Sequence, residues 1–509
     1  MPNIEEGSGN LGEWITDEFG LPAYKYTCNQ LEDPNAKTPT TYGYSTDHFH
    51  QIGNERITAT AHNGGYVQVL DGTRGFQWLT YRNKKKNKLG GGICFFKINN
   101  ETKFYSDLYC KETLERISGF ERIFGIGYFL KKLNLNNIKL EHYIIAPFSD
   151  DPVFISQIII ENKTDKQIKI ELIELWDIYL YYLTKSLVVT SNNRKLFGKT
   201  RLLNFAGKLI KSLQKIVKMD TDGSREKFAK KFKFNAQIIE NLKAIIIKPT
   251  YRGKISVKKD EPAKYNYYPK SIFLSVLEGN IKNYHWDKDL VFENNNIDLN
   301  RNENIKNPCV AISSKLILQE NESKKLVFLF GYSDLKNIEK LIEKYKHIIS
   351  EQDILKWNAE KWKDSLIELN ISGYDTKWLP RESKWHSYYV RSAGFYDEYY
   401  NAHKFPQGSI YLFGHGFDGA IRDFMLYLSS IIFINPGLAK EYLMATLKLM
   451  RPDGKLPYGL YGFGKAIAAS VHSKPSDLYL FLIWGIIEYI YLTRDFDFLN
   501  QKIEFYPKA

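Results

Sequence analysis

The chain has 509 residues, 43% of them hydrophobic and 25% charged, which is enough for about two to four soluble domains. Its net charge is +13, but the lysines are spread along the chain without a zinc-finger, RNA-recognition or helix-turn-helix pattern, so no nucleic-acid partner is predicted. The four cysteines form no CxxC pair, which argues against a zinc framework or a dense disulfide scaffold.

The first part of the chain has the pattern of long β-strands. Residues 64–82 alternate apolar and polar side chains around the turn dipeptide "DG". Residues 152–180 consist of two β-branched runs joined by the polar turn "NKTDKQ", and residues 309–333 repeat this design. Long antiparallel strands with polar turns predict an N-terminal antiparallel β super-sandwich over residues 1–333.

One stretch within this part departs from the strand pattern. Residues 190–300 are basic, partly helical in their hydrophobic spacing, and contain the polar tract "NNNIDLNRNENIKN". We interpret this stretch as a basic insertion on the sandwich.

The hydrophobic spacing becomes helical near residue 334. Apolar residues three and four apart predict a helical linker over residues 334–370. Residues 371–509 are almost entirely helical in pattern, with helices predicted at 381–403, 420–434, 437–450 and 475–495. Pairs of helices with loops on one face predict an α/α arrangement, so the fold class is multidomain, β then α.

Neither end of the chain has a membrane-targeting pattern. The N-terminal sequence "MPNIEEGSGN" is polar and acidic, unlike a signal peptide. The longest apolar run, residues 479–492, contains Glu488 and is shorter than the ~20 residues that a membrane-spanning helix needs, so it predicts a buried helix. We therefore expect a cytoplasmic protein with no membrane partner.

Two charged residues stand at the start of the second predicted helix. In "GHGFDGAIRDFMLYL", Arg422 and Asp423 lie in the first helical turn, ahead of an otherwise apolar helix. The helix dipole favours Asp at this end, which is its structural alternative, whereas Arg needs a carboxylate or a ligand. We therefore predict that Arg422 and Asp423 are binding residues at the polar end of a buried helix.

The last predicted helix has a similar start. Asp477 follows Pro475 and Ser476, where an ordinary N-cap role is the alternative to a functional one. The loop before this helix is rich in glycine and proline and carries Tyr458, which predicts a sugar platform or an ordinary loop cluster. Helix starts that converge on a cavity would form a polar pocket in an apolar barrel.

One short segment has the composition of a metal site. Asp47, His48 and His50 place three potential ligands within four positions. No second cluster in the sequence matches them, so we predict no metal.

Three stretches of the helical part match one known family. "KWHSYYVRSAGFY" is similar to the family's first barrel helix, "GFDGAIRD" to its Gly-x-Arg-Asp motif, and "PSDLYLFLIWGIIEYIYLTRDFDFL" to its Asp-Asp-x-Leu-Trp helix. On these motifs, which lie within residues 362–500, the chain resembles the cellobiose and chitobiose phosphorylase family of the six-hairpin glycosidase superfamily. The resemblance implies a β-sandwich, a helical linker and an (α/α)6 barrel, in that order.

The resemblance also implies an activity. Members of this family are inverting glycoside phosphorylases, which implies cleavage of a β-linked oligosaccharide with inorganic phosphate as co-substrate and no metal or organic cofactor. Arg422 and Asp423 would bind hydroxyls of the sugar whose bond breaks, and Asp477 would shape the same pocket. Family members often pair, which implies a possible homodimer.

Three departures from the family pattern concern the sugar subsite. Leu426 and Tyr427 stand where the family has Gln and Asp, Ser476 replaces the first Asp of the Asp-Asp pair, and "KLPYG" stands where the family has a Trp-His pair. The resemblance therefore also admits an inverting glycoside hydrolase of the same superfamily.

The length of the helical part sets one more expectation. Residues 371–509 are too few for about twelve barrel helices at a mean of ~11–12 residues each. We therefore expect only the start of the barrel, in a sequence truncated at its C-terminus, with the general acid and the phosphate-binding residues beyond residue 509. Such a chain would be inactive alone, and an inactive carbohydrate-binding fragment is the remaining alternative.

Overall fold

The fold is taken from a computed structural model. It describes residues 8–28, 48–73, 77–99, 101–182, 230–251, 270–292, 305–372, 378–398, 401–405, 421–457, 459–461, 465–467 and 477–505. Within these ranges, long strands occupy the part of the chain before residue 334, and long helices occupy the part after it.

The strands before residue 334 pair antiparallel throughout the described part of the chain. In chain order they are β1 (Gly12–Thr16), β2 (Pro22–Tyr26), β3 (Phe49–Gly53), β4 (Thr58–His62), β5 (Val67–Asp71), β6 (Gln77–Trp78), β7 (Ile93–Ile98), β8 (Tyr105–Ser106), β9 (Gly119–Gly125), β10 (Tyr128–Leu135), β11 (Ile138–Ile145), β12 (Val153–Asn162), β13 (Ile168–Asp177), β14 (Tyr181–Tyr182), β15 (Phe232–Ile239), β16 (Ala244–Tyr251), β17 (Ser271–Glu278), β18 (Asn283–Asp287), β19 (Pro308–Leu318) and β20 (Ser323–Ser333).

These strands form three sheets. A ten-stranded sheet has the order β1-β2-β9-β10-β11-β12-β20-β17-β16-β15, and two five-stranded sheets have the orders β18-β19-β13-β7-β8 and β14-β6-β5-β4-β3. Local sequence explains the hairpins: Asn136 and Asn137, between β10 and β11, both take the positive φ that a type I′ turn requires. Asparagine tolerates this conformation better than other non-glycine residues.

The sheets pack face to face around one apolar core. Trp176 of β13 stacks on Phe330 of the ten-stranded sheet, with ring centroids 3.9 Å apart and an interplanar angle of 6°. The same cluster of buried side chains includes Phe129 of β10 and Ala61 of β4, so all three sheets contribute to it. This confirms the predicted antiparallel β-sandwich.

The predicted insertion at 190–300 is wrong where the structure describes it. Strands β15 to β17 lie in the ten-stranded sheet, and β18 lies in a five-stranded one. Phe232 and Phe234 of β15 and Ile245 and Ile247 of β16 are buried in the common core. The lysine- and asparagine-rich composition of the stretch hid this alternation, because polar residues occupy the outward positions and the turns.

The helices of the described residues are two short ones in the sandwich and six longer ones after it. They are α1 (Lys111–Leu114), α2 (Lys288–Val291), α3 (Leu335–Glu351), α4 (Ile354–Ser365), α5 (Leu379–Ser392), α6 (Ile421–Ile434), α7 (Pro436–Leu447) and α8 (Leu478–Thr493). Two small hairpins accompany them, formed by β21 (Phe395–Asp397) with β22 (Ala402–Lys404) and by β23 (Gly459–Tyr461) with β24 (Lys465–Ile467).

The linker consists of α3 and α4, which both pack on the sandwich. Ile338, Ile342 and Tyr345 form the buried face of α3. Helix α3 ends at Glu351, and Asp353 caps α4 by accepting a hydrogen bond from the backbone N–H of Lys356. The linker therefore covers one outer face of the sandwich and fixes where the helical part begins.

The helix predicted at 381–403 is too long. Helix α5 ends at Ser392, and the hairpin β21–β22 follows it. This hairpin packs against the sandwich, where a Cβ atom on Gly72 would come within 2.7 Å of the Phe395 ring. The close approach of sheet and hairpin is a tertiary constraint that helical periodicity does not register.

Helices α6, α7 and α8 form a second apolar core that includes Met425, Leu428, Leu443 and Leu482. Burial of α6 and α8 is one-sided, however, because Phe433 is 64% exposed and Leu480 is 68% exposed. The prediction that α6 and α8 are buried helices is therefore wrong for the exposed face of each among the described residues. The helical part is confirmed, whereas an (α/α)6 barrel stays a prediction.

Candidate functional site

The starts of α6 and α8 lie side by side, although 55 residues of sequence separate their charged residues. The Nη1 atom of Arg422 donates a hydrogen bond to the Oδ2 atom of Asp477 at 3.1 Å. The two helices approach closely at Gly485, where an added Cβ atom would come within 2.6 Å of the Leu428 side chain. The structure thus brings together two of the four predicted site residues.

The ion pair between Arg422 and Asp477 contributes little to stability. The Arg422 side chain is 42% exposed and that of Asp477 is 38% exposed, so water screens the attraction between them. Exposed pairs of this kind stabilise proteins by ~0.2–1 kcal/mol. The helices behind the pair pack through apolar side chains, so we expect the fold to depend little on this polar end.

The structure does not support a helix-capping role for the Asp477 side chain. Asp477 occupies the N-cap position of α8, but its side chain makes no capping hydrogen bond to the helix backbone. Its carboxylate pairs with Arg422 instead. A cationic fork beside a carboxylate at the mouth of two helices offers both donors and acceptors to a hydroxylated ligand.

Of the other two predicted site residues, the structure describes only the backbone of Asp423 and does not describe Tyr458. Asp423 lies in the first turn of α6, but its side chain is outside the described atoms. Tyr458 lies outside the described residues, next to the start of β23. Their proposed roles beside the ion pair therefore stay predictions.

A second polar cluster lies between the sandwich and the helical part, and sequence reasoning missed it. His403 of β22 contacts the Asp150 carboxylate through Nε2 at 2.8 Å and the Glu441 carboxylate of α7 through Nδ1 at 3.1 Å. Burial alone would lower the pKa of His403, but the hydrogen bonds to Asp150 and Glu441 outweigh it and raise the pKa to about 9. The imidazole is therefore a cation at neutral pH.

Arg56 completes this cluster. Its Nη1 atom lies 3.5 Å from Asp150, and its guanidinium carbon lies 3.9 Å from the centroid of the Tyr396 ring. No local sequence signal could have revealed the cluster, because His403 and Asp150 are 253 residues apart. Its contacts join three elements, so we interpret it as a structural connection between the two parts of the protein.

A third set of charges is enclosed within the sandwich. Lys131, Asp107, His142 and Glu174 have no exposed side-chain surface. The Lys131 ammonium lies 2.5 Å from the Asp107 carboxylate, which also contacts His142 at 2.6 Å. Because solvent and substrate cannot reach these groups, the network is structural.

The two histidines of the metal-like segment lie in separate surroundings. His48 forms a hydrogen bond with the Tyr26 hydroxyl, whereas His50 stacks on Trp385 with ring centroids 4.6 Å apart. Burial lowers the pKa of His50 to about 3. Asp47 lies outside the described residues, and within the described ranges no group of three His, Cys, Asp or Glu side chains could hold a metal ion.

The long apolar run predicted at residues 479–492 lies in α8 and packs against two neighbouring helices. It contacts α6 and α7 through one face, and Glu488 accepts a hydrogen bond from the Ser429 hydroxyl of α6 at 2.5 Å. No helix of the described residues combines the length and apolar character that crossing a membrane requires.

Comparison with known proteins yields likeness of structure only. No protein-family model and no curated protein matches the chain. A solved structure described as "Putative kojibiose phosphorylase from human microbiome" aligns with 96% of the chain at 11% identity and a TM-score of 0.51. The chain spans 58% of that structure's length. At this identity the likeness establishes the fold alone, a β-sandwich followed by helices, and membership of the phosphorylase family inferred from the motifs stays a prediction.

Two further solved structures align over shorter parts of the chain. A polysaccharide lyase covers 59% of this chain at 10% identity, with 35% of its own length aligned. A putative aldose 1-epimerase from Escherichia coli K12 covers 57% at 7% identity, with its whole length aligned. Both have TM-scores of 0.27, which is too low to support an argument.

Proposed function

We propose that this chain is a carbohydrate-active protein of the glycoside phosphorylase type, which cleaves a β-linked oligosaccharide with inorganic phosphate and inverts the anomeric carbon. The observation that carries the proposal is the pairing of Arg422 with Asp477 at two adjacent helix starts. Its support is threefold: the pair matches two positions of the motifs described above, its partial exposure leaves it a small expected contribution to stability, and the fold resembles that of a solved structure with a phosphorylase title.

In this proposal the ion pair forms part of a sugar subsite. The Arg422 guanidinium presents hydrogen-bond donors and the Asp477 carboxylate, 3.1 Å away, presents acceptors, so together they can bind sugar hydroxyls in either role. Asp423 would contact the same ring from the first turn of α6, and Tyr458 would stack on it. These residues would orient the sugar rather than transfer protons.

The chemistry proposed for the bound sugar is a single displacement. An oxygen of inorganic phosphate attacks the anomeric carbon, the bond to the leaving oxygen breaks on the opposite face, and a carboxylic acid supplies the proton that the leaving oxygen takes up. The products are a sugar 1-phosphate and a shortened saccharide. We assign the acid to no described residue.

The proposal is tested on the product of the complete gene, with a panel of α- and β-linked glucose disaccharides, each with and without inorganic phosphate. Sugar 1-phosphate formation, detected by phosphorus NMR, would support a phosphorylase. Release of free sugar without phosphate would identify a hydrolase, in which a second carboxylate activates water at ~6.5–9.5 Å from the acid.

Calorimetric titration of the same panel decides the remaining outcomes. Binding without turnover, if Arg422→Ala abolishes it, would favour the carbohydrate-binding alternative. An absence of both binding and turnover with every sugar would reject the proposed function.

A further inference from the structure

A separate depression lies where the linker meets α5. It has a volume of about 490 Å³ and shares no lining residue with the Arg422–Asp477 pair. Its lining includes Leu369, Trp378, Leu379, Arg381, Glu382 and His386. Ligand pockets in proteins are typically ~300–1,000 Å³, with mostly apolar walls and a few polar groups, and this depression has that composition.

Trp378 provides a flat apolar wall that solvent can reach. Its side chain is 39% exposed, whereas Trp78, Trp176 and Trp362 are at most 1% exposed. A single exposed apolar residue needs no explanation by itself. Trp378, however, lines the depression together with two leucines and four polar residues, Ser383 among them, so the indole borders a space that a ligand could occupy.

The polar residues of the depression are held in a fixed arrangement. Arg381 donates to the Oε1 atom of Glu382 from Nε at 3.2 Å and from Nη2 at 2.9 Å. The other carboxylate oxygen of Glu382 lies 3.2 Å from Nε2 of His386. Because Trp378, Glu382 and His386 are spaced by four residues, the indole, the carboxylate and the imidazole follow one face at the start of α5.

The charges in the depression favour a neutral ligand. The cation of Arg381 and the anion of Glu382 offset each other, so a phosphate or nucleotide gains no net attraction. A pyranose ring combines an apolar face of C–H groups with hydroxyls at its edge. The indole of Trp378 suits the apolar face, and the Glu382 carboxylate and the His386 imidazole suit the hydroxyls.

We propose that this depression is a carbohydrate-binding site, with Trp378 as the stacking platform and Glu382 as the main acceptor for sugar hydroxyls. The inference depends on the lining residues and not on the chemistry proposed for the Arg422–Asp477 pair. The site takes neutral pyranose residues of a polysaccharide that lies along the surface.

Native affinity electrophoresis of the full chain tests the site. The probes are soluble starch, barley β-glucan, hydroxyethyl cellulose and xylan, each cast into a gel and compared with a gel that lacks polysaccharide. We expect at least one polysaccharide to retard the native chain. Trp378→Ala should lose this retardation, Trp378→Phe should keep much of it, and Glu382→Gln should weaken it.

Two variants serve as controls. Trp484→Ala removes an indole that is 50% exposed on α8, and Lys440→Ala removes a 2.7 Å ion pair with Asp495 that belongs to neither proposed site. Both should be retarded like the native chain, and thermal unfolding of Trp378→Ala should match that of the native chain because the indole is partly exposed. No retardation of the native chain by any probe, equal retardation of Trp378→Ala, or equal loss in Trp484→Ala would each overturn the assignment.

These outcomes separate this site from the proposed activity. Retardation that depends on Trp378, without turnover of any disaccharide, would uphold this site and count against the phosphorylase. Turnover of a disaccharide without retardation by any polysaccharide would support the phosphorylase and overturn this binding site.

Discussion

His403 and Asp150 form an ion pair of 2.8 Å between the hairpin β21–β22 and the sandwich. Glu441 of α7 contacts the same imidazole at 3.1 Å, and Arg56 lies 3.5 Å from the same Asp150 oxygen that faces His403. One titrating side chain therefore links both parts of the protein, and its charge state should influence how firmly they are joined.

This ion pair should make stability fall in alkaline solution. The folded-state pKa of His403 is about 9, above the ~6.5 of an unfolded chain, so its stabilisation is fully present below pH 6.5 and is lost as pH rises through 9. Such a shift corresponds to at most about 3 kcal/mol, and screening at the 59% exposed Asp150 reduces it.

The free energy of unfolding, measured by urea denaturation at pH values from 6 to 10 in steps of ~0.5 unit, tests this effect. His403→Gln should flatten the decline, whereas His386→Gln, at a histidine that is 69% exposed, should leave it unchanged. A decline that persists unchanged in His403→Gln would contradict the assignment.

Removal of one partner from the buried pair of Lys131 and Asp107 should strongly destabilise the sandwich. Lys131→Met leaves the Asp107 carboxylate buried without its ammonium partner, which costs ~3–5 kcal/mol in comparable cases. Lys132→Met on the same strand is the matched control, because Lys132 is 30% exposed and its pairing with Glu141 is worth ~0.2–1 kcal/mol. Equal losses in the free energy of unfolding would show that burial of the pair is not decisive.

The Arg422–Asp477 pair should behave in the opposite way. Arg422→Ala and Asp477→Asn should each change the free energy of unfolding by less than ~1 kcal/mol, because both side chains are more than a third exposed. Both should weaken sugar binding measured by titration. Lys440→Ala, which removes a 2.7 Å pair with Asp495 within the same helical part, should leave sugar binding intact.

Close packing of the sandwich against α5 predicts a sensitive glycine. A Cβ atom on Gly53 would lie 2.7 Å from the Ile57 carbonyl oxygen and would also collide with the Ser392 carbonyl. Gly53→Ala should therefore destabilise the protein by ~1–3 kcal/mol. Gly119→Ala meets only an ordinary 3.5 Å contact with Asn134, and thermal unfolding should show little change or a small gain.

Local pattern was sufficient for much of the architecture. β-Branched runs around polar turns predicted β12, β13, β19 and β20, because strands that are buried on both faces have apolar side chains at most positions and end at turn residues. Local pattern failed for β15, because the polar composition of that stretch hid its strand alternation. It also failed for the end of α5, because helical spacing continues in the sequence beyond Ser392, where the helix ends.

The sequence by itself determined the order of strands and helices and pointed to Arg422 and Asp477, since hydrophobic period and charges at helix starts are local properties. Tertiary structure alone decided that these two residues pair and that His403 meets Asp150. Each of these depends on how separate elements pack. Packing is a property of side chains distant in sequence, which no local pattern records.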